Sequence, residues 1–168
     1  MIRKLLLFAA ALALGVIALT ANSAYGARTQ VPIHGSYSGT AAFTSPSTVV
    51  FNGIGISRHL GRGTNQGNLV VTGPDSSCPG GLANVNTETF TAANGDSFTL
   101  TSHDVACPVA PGVFQGTGHY VVTGGTGRFR GATGQGTLYG HVDMNQGLFR
   151  FHFTGTISAP KEAERTGP

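Results

Sequence analysis

The sequence predicts an all-β protein, an eight-stranded antiparallel up-and-down β-barrel. Three observations support this prediction. Apolar and polar residues alternate with period two along much of the chain, short turn sequences separate the alternating stretches, and nothing after the N-terminal region has the 3.6-residue period of a helix. The 168 residues include 26 glycines, no tryptophan and 10% charged residues, a composition that excludes disorder caused by excess charge.

The N-terminal region has the layout of a secretory signal peptide. Arg3 and Lys4 precede an apolar stretch over 5–19, and small residues follow it. The apolar stretch is shorter than the roughly 20 residues that a transmembrane helix needs, so cleavage is favoured over anchoring. Cleavage after Gly26 satisfies the small-x-small rule, and cuts two or three residues earlier are alternatives. We therefore predict a signal peptide over 1–26, a secreted or periplasmic protein, and no membrane span after cleavage.

The rest of the chain is expected to form a single β-barrel domain over 27–160, followed by a disordered charged tail over 161–168. Removal of the two basic residues of the signal leaves 8 basic residues against 7 acidic ones, a formal net charge of +1. The remaining basic residues are spread out and form no run that would follow a phosphate backbone. The sequence therefore predicts no nucleic-acid partner.

Eight segments with period-two patterning are predicted as strands. They are 33–44, 48–57, 67–72, 83–92, 97–104, 113–123, 136–144 and 148–157. Short turns join most of them, and Asn94-Gly95 is the strongest hairpin signal because both residues tolerate positive φ. Consecutive antiparallel strands form a meander, and a meander of eight strands removes its exposed edges by closing into a barrel.

The last predicted strand has the clearest alternation. Apolar side chains at 149, 151, 153 and 157 alternate with polar ones at 150, 152, 154 and 156. A strand places such residues on opposite faces, so the apolar set should point to one interior. That set is Phe149, Phe151, Phe153 and Ile157.

Cys78 and Cys107 are the only cysteines of the chain, and both follow the predicted signal peptide. A pair of cysteines in an exported protein predicts a disulfide. A reactive thiol would need a neighbouring base, and the local sequence does not identify one. We therefore expect the two residues to join the loops in which they lie.

The Gly-rich segment HYVVTGGTGRFRGATGQG over 119–136 resembles the strand–turn–strand signature of the allene oxide cyclase and dirigent protein barrels. The segment 148–157 resembles the last strand of those families, and SRHLGR over 57–62 resembles a stretch of exported bacterial members of this barrel class. The resemblance implies a calycin-like barrel, a small apolar ligand and a homo-oligomer. No cofactor is expected. The Gly-rich segment is not expected to bind phosphate, because it lacks a following helix and a Gly-Lys-Ser/Thr element.

The same resemblance bears on catalysis. Plant allene oxide cyclases place a glutamate early in the barrel, and the first predicted strand here has none, so we predict no appreciable activity of that kind. Dirigent proteins use aspartates near the cavity, for which Asp104 and Asp143 are the candidates. His141 shares a strand face with Asp143 as an acid/base candidate, and Glu88 is a further candidate carboxyl. No compact metal-ligand spacing occurs, so no metal is expected.

Two functions stay open at this point. The first is a barrel that binds a small apolar molecule, with the aromatic side chains of Tyr37, Phe149, Phe151 and Phe153 as candidate binding residues, and with catalysis undecided. The second is a structural or interaction protein of the cell envelope with a filled barrel. An outer-membrane barrel fits poorly, because the aromatic girdles are thin and the chain ends in charged residues.

Overall fold

A computed structural model describes residues 28–161 of the protein. The predicted signal peptide over 1–26 lies outside the described residues, as does the predicted tail apart from its first residue. The described chain forms a closed antiparallel barrel in which each strand pairs with its neighbours in sequence and the first pairs with the last, which confirms the predicted fold class. Within residues 28–161, no helix is long and apolar enough to cross a membrane.

The eight strands follow one another with short connections. They are β1 (Gln30–Ser45), β2 (Thr48–Ser57), β3 (Gly61–Asp75), β4 (Gly81–Ala92), β5 (Ser97–Ala110), β6 (Val113–Gly125), β7 (Gly134–Asp143) and β8 (Leu148–Ser158). A single 3-10 turn, Gly127–Phe129, lies between β6 and β7. The barrel closes where β1 pairs with β8, with Tyr37 opposite Phe151.

Strand β3 is much longer than the predicted segment 67–72. Its first half, up to Gly67, pairs with β2 on one side and with β4 on the other. The inward positions of this half are Gly63, Asn65 and Gly67. Because none of these three residues is apolar, the first half of β3 lacks the alternation of hydrophobicity by which a strand is recognised.

The hairpin between β4 and β5 turns where the sequence predicts it. Gly95 has a φ of 86°, in the left-handed region that favours glycine. The backbone N–H of Gly95 donates to the carbonyl of Ala92 (3.0 Å), and the N–H of Asp96 donates to the side-chain oxygen of Asn94 (3.2 Å). The Asn94-Gly95 prediction is thus confirmed.

One end of the barrel is closed by a cluster of aromatic rings. Phe129, from the 3-10 turn, is fully buried and packs against Phe98, with ring centroids 5.6 Å apart. Phe98 in turn stacks on Phe90 at 4.9 Å. The apolar residues of β8 predicted to face the interior are all buried: Phe149, Phe151, Phe153 and Ile157. The inward assignment of that strand is therefore confirmed, and the aromatic cluster makes this half of the barrel solid.

The predicted disulfide is present. Cys78 lies in the turn between β3 and β4, whereas Cys107 lies on β5 and not in a loop as expected, because β5 continues to Ala110. Their Cα atoms are 6.0 Å apart. The bond spans 29 residues of sequence and ties the β3–β4 turn to the neighbouring strand.

Reduction of the Cys78–Cys107 bond is expected to lower the free energy of unfolding by roughly 3 to 4 kcal/mol. The cross-link restricts the conformations of the unfolded chain, and reduction restores that conformational entropy. Thermal unfolding with and without reductant measures the change. The oxidised protein should also contain no free thiol. Titration of two thiols in native protein, or an unchanged melting temperature after complete reduction, would contradict the expectation.

Candidate functional site

The barrel end opposite the aromatic cluster is hollow. Two adjoining cavities, each of about 70 Å³, lie inside it. They share Phe51, Phe114 and Val142 in their walls. The outer cavity reaches the rim of the barrel at Phe43, which is 56% exposed. A small molecule can thus meet a largely apolar wall in this half of the barrel.

Glu88 lies at the floor of the inner cavity. It projects inward from β4, and the residue is 4% exposed. Its carboxyl accepts hydrogen bonds from two side-chain amides, from Asn86 Nδ2 at 2.7 Å and from Asn65 Nδ2 at 3.1 Å. The two amide donors hold both carboxyl oxygens in place.

Asp104 lines the same cavity from β5. The residue is 7% exposed, and its Oδ2 accepts a hydrogen bond from Ser102 Oγ at 2.9 Å. A Cβ at Gly118 on β6 would overlap Asp104 Oδ1, so the missing side chain of that glycine makes room for the carboxyl. The other oxygen, Asp104 Oδ1, is buried and has no hydrogen-bond partner.

Burial changes the acidity of both carboxyls. Removal from water raises the pKa of Glu88 from 4.5 to about 7, against the opposing effect of its amide donors. The same cause raises the pKa of Asp104 from 3.8 to about 6, although the hydrogen bond from Ser102 opposes the change. The cavity therefore holds two carboxyls that change charge between weakly acidic and neutral pH.

Strand β6 leaves space at the side of the cavity. Gly116 faces the interior, and a Cβ built on it would meet only the carbonyl oxygen of Val105, at 3.9 Å. The φ of Gly116 is not in the left-handed region, so a larger residue is sterically allowed there. The size of residue 116 therefore controls the volume of the cavity.

The structure separates the predicted site residues into two groups. Glu88 and Asp104 line one cavity inside the barrel, together with the predicted ligand-binding residues Phe149 and Phe151. The other two predicted aromatic residues lie deeper: they are Tyr37 and Phe153, which belong to the buried aromatic cluster.

His141 and Asp143 lie on the outer face of β7, where both line a surface groove. Asp143 Oδ1 accepts hydrogen bonds from the backbone N–H of Asn145 (2.9 Å) and of Gln146 (3.2 Å), which makes Asp143 a turn residue of the β7–β8 hairpin. The structure therefore does not bring this pair to the cavity. Within residues 28–161, no group of three or more His, Cys, Asp and Glu side chains is placed to hold a metal ion.

The polar residues around the two carboxyls are not among the candidates that the sequence predicts. Asn84 and Asn86 are buried on β4, and Ser102 is buried on β5. A signal for them exists in the sequence: the asparagines have the same parity as Phe90, and Ser102 has the parity of Leu100. If the large apolar residues of each strand are used to decide which alternate positions face the interior, these polar residues are placed inside as well.

Comparison with known proteins supports the fold. No protein-family model matches the chain, and no curated protein matches it. The solved structure of the pterocarpan synthase dirigent protein GePTS1 is similar, with a TM-score of 0.50 and 16% identity over 92% of this chain and 99% of that one. The pterocarpan synthase dirigent protein PsPTS1 has a TM-score of 0.51 and 16% identity over 80% of this chain and 97% of that one. At this identity the likeness establishes a dirigent-like β-barrel fold.

Proposed function

We propose that this protein binds a small, largely apolar molecule in the hollow half of its barrel. The observation that carries the proposal is an apolar cavity with a polar floor, where Asp104 Oδ1 and Asn86 Oδ1 are buried without a partner. An unpartnered buried polar atom costs about 1 to 3 kcal/mol, so a site that keeps such atoms gains from a ligand that bonds to them. Binding sites of this kind combine apolar walls with a few placed polar groups.

The walls supply the main part of the affinity in this proposal. Phe51, Phe149 and Phe151 line the inner cavity together with aliphatic side chains. Burial of apolar ligand surface against them contributes about 25 cal/mol per Å². The volume of the two cavities limits the ligand to the size of a single ring or a short chain.

The filled half of the barrel favours the second candidate, a structural or interaction protein. The rings of Phe90, Phe98 and Phe129 leave this half solid, which a purely structural barrel would require throughout. The two candidates differ in what the hollow half does. A substitution that fills this half separates them.

Gly116→Leu is expected to weaken the binding of benzyl alcohol by roughly tenfold or more, because the leucine side chain occupies the inner cavity. Isothermal titration calorimetry of the purified protein measures the affinity. Thr117→Val is the matched control, since Thr117 is the next residue on β6 and is exposed on the outer face. Equal affinities of the wild type and Gly116→Leu, or no binding by the wild type, would favour the structural candidate.

We also infer that the protein acts outside the cytoplasm. The Cys78–Cys107 bond supports this location, because disulfides persist in oxidising compartments. The signal-peptide pattern of the first 26 residues points the same way. The homo-oligomer implied by the sequence resemblance stays a prediction.

A further inference from the structure

Building on the binding function proposed above, we propose that the ligand carries a protonated amine, which the carboxyls of Glu88 and Asp104 bind at the floor of the cavity. Three features of the cavity support an amine: the atoms of the floor that lack partners, the charges around them and the chemistry of the walls.

The unpartnered atoms of the floor are all acceptors. Asp104 Oδ1 is a carboxyl oxygen, and Asn86 Oδ1 is an amide oxygen whose Nδ2 already donates to Glu88. The Ser102 hydroxyl already donates its hydrogen to Asp104 Oδ2. The complementary ligand group is therefore a donor, and an ammonium group has three N–H donors and no acceptor.

Among residues 28–161, Arg150 is the one basic residue in the wall of the inner cavity. It is exposed and also borders a groove on the outer face, because it lies between the inward Phe149 and Phe151 on β8. His103, which precedes Asp104, is exposed on the outer face of β5. A buried carboxylate without a cation is costly, and a ligand cation removes that cost.

The walls favour an organic ammonium ion over a metal ion. The aromatic rings of Phe51, Phe149 and Phe151 line the cavity just beyond the carboxyls. Aromatic faces attract ammonium groups, and they also bury the apolar part of an amine. A calcium ion needs six to eight oxygen ligands, and a magnesium ion keeps several waters. An inner cavity of about 70 Å³ with a carbon wall does not suit either ion.

The test compares two ligands of nearly equal size, benzylamine and benzyl alcohol, by calorimetry at about pH 8, which lies above the raised pKa of either carboxyl. We expect the wild-type protein to bind benzylamine at least about tenfold more tightly. Glu88→Gln and Asp104→Asn should each reduce this preference, because each removes one negative charge from the floor of the cavity. Thermal unfolding of each variant shows that the barrel is still folded.

Asp143→Asn is the matched control, because it removes the same charge from the outer face of the barrel and should preserve the preference. Equal affinities of the wild type for the two ligands would overturn the amine proposal and leave the binding function standing. Binding of neither ligand would overturn both. Tight binding of calcium chloride alone, lost in Glu88→Gln, would also overturn the proposal and identify the floor as a metal site.

Discussion

Phe153→Ala is expected to lower the free energy of unfolding by about 3 to 5 kcal/mol, the range found when a fully buried phenylalanine is removed. Phe153 is 3% exposed, and its ring lies at the centre of the aromatic cluster. The centroid of its ring is 5.2 Å from that of Phe90 and 5.9 Å from that of Tyr120. Strands of a closed barrel are held by hydrogen bonds on both sides, so the neighbours collapse little into the space that alanine leaves.

Urea denaturation of the two proteins measures this loss. Phe43→Ala is the matched control, because it is the same chemical change at a residue that is 56% exposed on the rim, and it should cost less than about 1 kcal/mol. If Phe153→Ala has the same free energy of unfolding as the wild type, the ring cluster does not hold the barrel together.

Glu88→Gln is expected to raise the free energy of unfolding at about pH 8 by on the order of 3 kcal/mol and to change it little at about pH 4. Burial raises the pKa of Glu88 from 4.5 to about 7, so the folded protein binds this proton more tightly than the unfolded chain does. The contribution of the neutral carboxyl is therefore fully present below about pH 4.5 and is lost as the pH rises through about 7. Glutamine stays neutral throughout and keeps the shape of the side chain.

The surroundings of Glu88 can accept the amide. Asn65 Oδ1 and Asn86 Oδ1 are both buried without partners, so rotation of either amide provides an acceptor for the new N–H donor. Unfolding in urea at a series of pH values measures the effect as the difference between variant and wild type. For Asp104→Asn, the stability difference from wild type should also grow as the pH rises. The rise should occur at lower pH than for Glu88→Gln, because the pKa of Asp104 is raised to about 6. Parallel stability curves of Glu88→Gln and wild type would contradict the buried-charge account.

Local patterns predict the strands of this barrel well where the inward residues are large and apolar. In β8 the alternation of Phe149, Phe151 and Phe153 with polar residues identifies both the strand and its inner face. In β3 the same rule fails for the first half, because Gly63, Asn65 and Gly67 face the interior. Hydrogen bonds to β2 and β4 hold the backbone of β3 extended there. These bonds come from neighbouring strands, so the residues of β3 alone do not predict them.

The candidate site shows the same division. Glu88, Asp104, His141 and Asp143 are all candidates from the sequence, and neither residue type nor a motif distinguishes the first two from the last two. Alternate residues of a strand face the same side, so Glu88 shares the inward face of β4 with Phe90, whereas Asp143 lies on the face of β7 opposite Val142. Alternation therefore separates the inward carboxyl from the outward one. Parity does not say which strands come together around one cavity.

The all-β class, the Asn94-Gly95 turn, the inward face of β8 and the pairing of Cys78 with Cys107 could all be predicted from the sequence. Each of these depends on short-range periodicity, on the φ preference of a residue, or on the number of cysteines. The three-dimensional structure was needed to show that one half of the barrel is solid and the other hollow, and that two carboxyls share the hollow half. Closure of the sheet sets the space between opposite walls, and residues without a side chain, such as Gly116, leave part of that space unfilled.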